Sequence, residues 1–198
     1  MSGPQHLSPP ALGDTALILI DLINTWEMKD GRSLLRQTLR TLPALTRLQQ
    51  RARKHRIPIV YANDNFGRWR SNMPALLELA RYASKSSARI VKALAPTAED
   101  YVVLKPEHSA FFGTPLERLL QSLEVKRLVL AGIAGDQCVL ATASDALLRR
   151  YEVVIPRDAI ACATAARGKA VLRHFSGVMD LSTPTSARVQ WNGSTSQH

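Results

Sequence analysis

The chain is predicted to fold as an α/β protein, a three-layer α/β/α sandwich around a central, mainly parallel sheet of about six strands. Two observations carry this. Apolar runs of strand length alternate along the chain with segments whose leucines and alanines recur at helical spacing. The strand-length runs are apolar at consecutive rather than alternating positions, so both faces of each strand are covered, as in a parallel sheet between layers of helix.

In chain order, TALILI at 15–20 is the first strand, IPIVYA at 57–62 the second, YVVL at 101–104 the third, RLVLA at 127–131 the fourth and EVVI at 152–155 the fifth. A sixth is expected near 178–181. Helices are expected over 43–55, 115–123, 136–150 and 164–174. Pro43 suits the first turn of its helix, where the missing N–H costs nothing, and Pro58 belongs to the connection that follows. Residues 14–188 form one domain without internal repeat or dividing linker. Residues 1–13 and 189–198, rich in Ser, Pro, Gly, Gln and Asn, are expected to be flexible tails.

Composition narrows the function. A chain of 198 residues with 45% hydrophobic and 21% charged residues has the balance of an ordinary globular protein. No apolar run is long enough to span a bilayer, and the first residues lack the blocks of a signal peptide, so a cytoplasmic protein without membrane partners is expected. The two cysteines, Cys138 and Cys162, are then expected to be reduced. The net charge of +10 raises nucleic acid as a partner. Its scatter along helical polar faces (Arg47, Arg51, Arg53, Lys54, Arg56) and the lack of any nucleic-acid motif argue against one.

The chemistry concentrates at strand ends. Asp21 follows ALILI, Asp64 follows PIVYAN, Lys105 follows YVVL, and an AGDQC loop carrying Cys138 follows LVLAGI. In a parallel sheet all carboxyl ends share one edge, the edge where open α/β sheets bind ligands. A thiol becomes a strong nucleophile when it loses its proton, which an adjacent base, a cation and a helix N-terminus all promote. Asp21, Lys105 and the helix beginning near Asp136 offer all three. Because a carboxylate cannot reach across several strands, a spatial order 2-1-3-4-5 is expected, with the Lys105 strand between those of Asp21 and Cys138.

On ALILIDLINTW, VVLKPEHSAFFGTPLERLL and LVLAGIAGDQCVLATASDALLRRYEVVIPRDA, in this order and spacing, the chain resembles the isochorismatase-like cysteine hydrolases, which include nicotinamidases, carbamoylsarcosine amidohydrolases and ureidoacrylate hydrolases. The resemblance implies a catalytic triad of Asp21, Lys105 and Cys138. It implies a cis peptide between Ile133 and Ala134, and an oxyanion hole from the backbone N–H groups of Ala134 and Cys138. It implies hydrolysis of a C–N bond in a small amide or ureido substrate. The Cys138 thiolate attacks the carbonyl, Asp21 hands its proton to the departing amine, and Asp21 then activates the water that cleaves the thioester. Relatives of this kind commonly form homo-oligomers, so a dimer or tetramer is expected.

The sequence also departs from that pattern. Ile23 stands where many relatives have Gln, and Trp26 where many have Phe, placed to stack on a planar substrate. Phe66 occupies the position of a metal-binding His in nicotinamidases, so no metal and no other cofactor is expected. Arg68 and Arg70 offer guanidinium forks to an anionic substrate. Gly135 replaces a Thr. Trp26, Asn65, Phe66, Arg68, Phe111 and Ile133 are expected to line the substrate pocket, while His108 and Cys162 read as structural. Two other readings remain open at this point, a redox-sensitive thiol protein and a hydrolase of an isochorismate-type vinyl ether.

Overall fold

A computed structural model describes residues 13–191. Its centre is a six-stranded, wholly parallel sheet of β1 (Thr15–Ile20), β2 (Ile59–Asp64), β3 (Tyr101–Lys105), β4 (Arg127–Ile133), β5 (Glu152–Val154) and β6 (Ile160–Ala161). The helices are α1 (Gly31–Lys54), α2 (Met73–Ala83), α3 (Lys85–Leu94), α4 (Leu116–Ser122), α5 (Leu140–Leu148) and α6 (Ala165–Gly177).

Alternation along the strands sorts the core into two halves, because successive side chains of a strand point to opposite faces. Leu17, Leu19, Ile59, Tyr61, Val129 and Ala131 pack with the buried residues of α1, α2 and α3. Ala16, Ile18, Val60, Ala62, Leu128 and Leu130 pack with those of α4, α5 and α6. Every residue of β1 is buried, as expected of a strand covered on both faces.

Several expectations are corrected. The strand order is β3-β2-β1-β4-β5, with β6 also against β4, not 2-1-3-4-5. The Asp21 and Cys138 strands are therefore direct neighbours, and Lys105 lies on an edge strand two places from Asp21. What the carboxylate cannot span, the long lysine stem does. The sixth strand is Ile160–Ala161, whereas residues 178–181 follow α6, with Val178 exposed and Asp180 at a positive φ of 52°; only Ser182 makes an isolated bridge, to Val154. Pro43 lies inside α1, which begins at Gly31; the apolar stripe of Leu34, Leu42, Leu45, Leu48 and Ala52 holds the helix together despite the lost hydrogen bond. α2 and α3, unforeseen, start at the capping side chains of Asn72 and Ser84, which accept the N–H groups of Ala75 and Ser87 at 3.0 Å each.

At the chain's end, Val189 and Trp191 are buried, and Arg51 donates to the Val189 carbonyl at 2.7 Å. The ordered body thus runs three residues past the boundary expected at 188. The rest of both expected tails, residues 1–12 and 192–198, lies outside the described residues.

Candidate active site

The carboxyl ends of β1, β2, β3 and β4 meet at one rim. Asp21 directly follows β1, at a positive φ of 53°, with its N–H on the Ala62 carbonyl at 2.9 Å. Lys105 ends β3, in register with Asp64 at the end of β2. β4 leads through the cis Ile133–Ala134 peptide into a single π-helical turn, Gly135–Val139, which carries Cys138 and continues as α5. Gly132, at φ 123°, lets β4 pass against β1: a Cβ there would lie 2.2 Å from the Ile20 carbonyl oxygen.

Lys105 organises the site. Its ammonium lies 2.9 Å from Asp21 Oδ2, 3.1 Å from the Glu107 carbonyl oxygen, 3.5 Å from Cys138 Sγ and 3.9 Å from Asp64 Oδ2. It is fully buried, and an ammonium offers three donors and no acceptor. Asp21, the Glu107 carbonyl and the sulfur take those three. The other Asp21 oxygen accepts the Asp64 N–H at 2.7 Å. Since Lys105 donates to the sulfur, the thiol's own proton must be directed elsewhere, toward Asp21 or toward His108, whose Nδ1 lies 3.6 Å from Sγ.

Proton affinities here run opposite to the expected low-pKa thiol. Burial, together with the Asp21 charge, pushes the Cys138 thiol up to about 12, against the pull of Lys105. Burial likewise raises Asp21 above the usual carboxylate range although Lys105 opposes it. For Lys105 burial acts downward, but the charges of Asp21, Cys138 and Asp64 outweigh it and the ammonium is held above its ordinary value. The resting site is therefore a protonated thiol beside a carboxylate of heightened basicity and a firmly charged ammonium. Once a proton passes from sulfur to Asp21, the repulsion between carboxylate and thiolate vanishes and the attraction to Lys105 remains.

The expected pocket residues divide. Asp21, Lys105 and Cys138 converge. Trp26, expected to stack on substrate, is a core residue, its indole N–H donating to the buried Ser87 hydroxyl at 3.1 Å. Phe111 is turned away from the sulfur's rim, its ring stacked on Tyr151 at 5.9 Å between centroids and covered by the Arg149 guanidinium at 4.8 Å. Ile133 is 1% exposed within the core beside α1. Asn65 is buried and caps the turn after β2, accepting the Gly67 N–H at 2.8 Å. Phe66, at φ 53°, leans half-buried on the core, and Arg68, Trp69 and Arg70 stand exposed in solvent. Asp64 Oδ1 accepts the Phe66 N–H at 2.6 Å. With a phenyl ring beside it instead of imidazoles, Asp64 has no partner ligands for a metal, and no cluster of three His, Cys, Asp or Glu suited to one occurs among the described residues.

His108 is the functional neighbour that its sequence position concealed. It follows Lys105 by three residues, and the chain's reversal at the end of β3 carries it over the rim, exposed to solvent.

The Isochorismatase domain family model matches residues 15–185. The chain belongs to the isochorismatase family. Among relatives within it, the uncharacterized isochorismatase family protein YaaI of Bacillus subtilis (strain 168) is 38% identical over 148 residues, 75% of this chain and 81% of YaaI. The N-carbamoylsarcosine amidase of an Arthrobacter species is 30% identical over 159 residues, 73% of this chain and 58% of the amidase. The fold is shared with a cysteine hydrolase of Pseudomonas syringae pv. phaseolicola, with a TM-score of 0.71 at 23% identity over 94% of this chain and 95% of that one. The protein is thus an isochorismatase-family hydrolase, and the Asp21–Lys105–Cys138 cluster sits on the rim where this fold gathers its strand ends.

Proposed function

We propose that this hydrolase cleaves a C–N bond of a small amide or ureido compound through a thioester on Cys138. The observation that carries the reading is Lys105, buried between Asp21 at 2.9 Å and the Cys138 sulfur at 3.5 Å. Burying an ammonium beside a carboxylate and a thiol costs several kcal/mol of lost hydration, an arrangement expected where charge must be moved during a reaction. The names of relatives, N-carbamoylsarcosine amidase and ureidoacrylate amidohydrolase, supply the substrate class.

In the proposed reaction the substrate carbonyl settles against the sulfur, with the backbone N–H groups of Ala134 and Cys138 facing its oxygen. The thiol proton passes to Asp21 as sulfur adds to the carbonyl carbon, and the two amides stabilise the oxyanion. Lys105 remains charged throughout and offsets the negative charge that moves between carboxylate and sulfur. As the tetrahedral adduct collapses, Asp21 returns the proton to the leaving nitrogen, and the amine or ammonia departs. Water then releases the acid from the thioester.

The raised thiol affinity disfavours the redox-sensor reading, since oxidation by peroxide follows thiolate character and exposure, and Cys138 is buried and protonated at rest. Intact-protein mass spectrometry after exposure to a panel of small amides and ureido acids tests the proposal. An acyl adduct on Cys138 with ammonia or amine in solution is the expected result. Turnover by Cys138→Ala equal to that of the wild type would overturn it.

A further inference from the structure

We propose that His108, rather than Asp21, is the base that activates water in the second half of the reaction, and that it returns the proton to sulfur. This rests on the preceding reading of Cys138 as the acylated nucleophile.

Geometry separates the two candidate bases. Asp21 is 5% exposed and both its oxygens are engaged, one by the Asp64 N–H at 2.7 Å and one by Lys105 at 2.9 Å. It is well placed to exchange a proton with the sulfur beneath the substrate, and poorly placed to receive a water molecule from outside. His108 is exposed, with Nδ1 3.6 Å from Sγ. It is the titratable side chain touching the sulfur that also meets solvent, and water must arrive from that side.

Its position is built rather than incidental. The Glu107 carbonyl accepts from Lys105 at 3.1 Å, which fixes the chain just before His108. Just after it, the Ser109 hydroxyl donates to Asp145, and the Ala110 N–H donates to the Thr142 hydroxyl at 3.0 Å. Asp145 and Thr142 lie on α5, the helix that continues from the turn bearing Cys138. One rigid unit thus holds both the sulfur and the imidazole, the kind of support a catalytic contact requires.

The step balances within the site. The neutral imidazole takes a proton from water at Nδ1, and the hydroxide adds to the thioester carbonyl. The C–S bond then breaks with its electron pair leaving on sulfur. The imidazolium, already beside Sγ, gives its proton to the thiolate, restoring thiol and neutral imidazole. The net change is thioester plus water to carboxylic acid plus thiol.

p-Nitrophenyl acetate, which can acylate a cysteine without the native substrate, separates the halves: a burst of nitrophenolate reports acylation and the following steady rate reports deacylation. His108→Ala and His108→Gln should keep a burst close to one equivalent while the steady rate falls about 10²-fold. Acetyl-Cys138 should accumulate by mass, and free imidazole should restore part of the rate in His108→Ala. Circular dichroism matching the wild type confirms that the exposed substitution leaves the fold intact. A steady rate within twofold of wild type in both variants overturns the assignment, as does an equal loss in burst rate and steady rate. A wild type that forms no acetyl-cysteine overturns the nucleophile reading itself, and this inference with it.

Discussion

The chain contains two buried thiols whose surroundings look alike on paper. Cys138 is 7% exposed beside Asp21 and Lys105; Cys162 is 4% exposed beside Asp136 and Arg167. Burial and a neighbouring carboxylate push both up to about 12. The difference lies in the partners. Asp21 and Lys105 are both buried and ionically coupled, and the carboxylate's proton affinity is raised. The Asp136–Arg167 pair is partly exposed, and Asp30 also engages the same guanidinium, at 3.3 Å. Cys162 packs beneath the cysteine loop, where a Cβ on Gly135 would approach its sulfur to 2.9 Å. A carboxylate and a cation near a thiol do not make a nucleophile; they do so when the carboxylate is a stronger base than usual and the sulfur lies on the open rim.

The sharpest way to break this comparison is to delete each sulfur in turn. Cys138→Ala should lower kcat by about 10³-fold or more in a steady-state amidase assay, whereas Cys162→Ala should leave kcat within about twofold. Next in size, Asp21→Asn should cost about 10²- to 10⁴-fold in rate. By stranding the buried Lys105 it should also lower unfolding free energy by about 3–5 kcal/mol, measured by urea denaturation.

Alkaline pH gives a third test. Both thiols ionise near 9.0 when unfolded and near 12 when folded, so the unfolded chain releases their protons first. Their contribution to stability is complete below about pH 9 and is lost as pH rises toward 12. Denaturation midpoints should fall across that window, and less steeply in Cys162→Ala, which has one such thiol fewer. The smallest effect concerns Trp26: Trp26→Phe removes the hydrogen bond to Ser87 and should cost about 1 kcal/mol of stability with KM unchanged. A large rise in KM would return Trp26 to the pocket.

Much of the fold was legible because β1, β2 and β4 are covered on both faces and must be apolar at successive positions. The three catalytic residues were legible because each ends a strand, and parallel strands bring such ends together. Strand order was misjudged because reach was assigned to the short carboxylate instead of the lysine. Asn72 and Ser84 announce α2 and α3 as clearly as any helix start in the chain, yet α1's proline drew the first boundary too late. Trp26, Phe111 and Ile133 could not be separated from pocket residues by type, since an apolar side chain near a strand end serves core and cavity equally well. The thiol's proton affinity was illegible for another reason: it depends on desolvation, which no local pattern encodes.

The bonds from Ser109 to Asp145 and from Ala110 to Thr142, with Arg149 joining Asp145 to Glu117, form a brace running along α5 away from the rim. Laboratory evolution toward new substrates would accordingly find useful changes at Asp145, Arg149 and Glu117, none of which meets a ligand. Such changes would retune the enzyme by tilting the imidazole loop relative to the sulfur, in the way a mount sets the aim of an instrument.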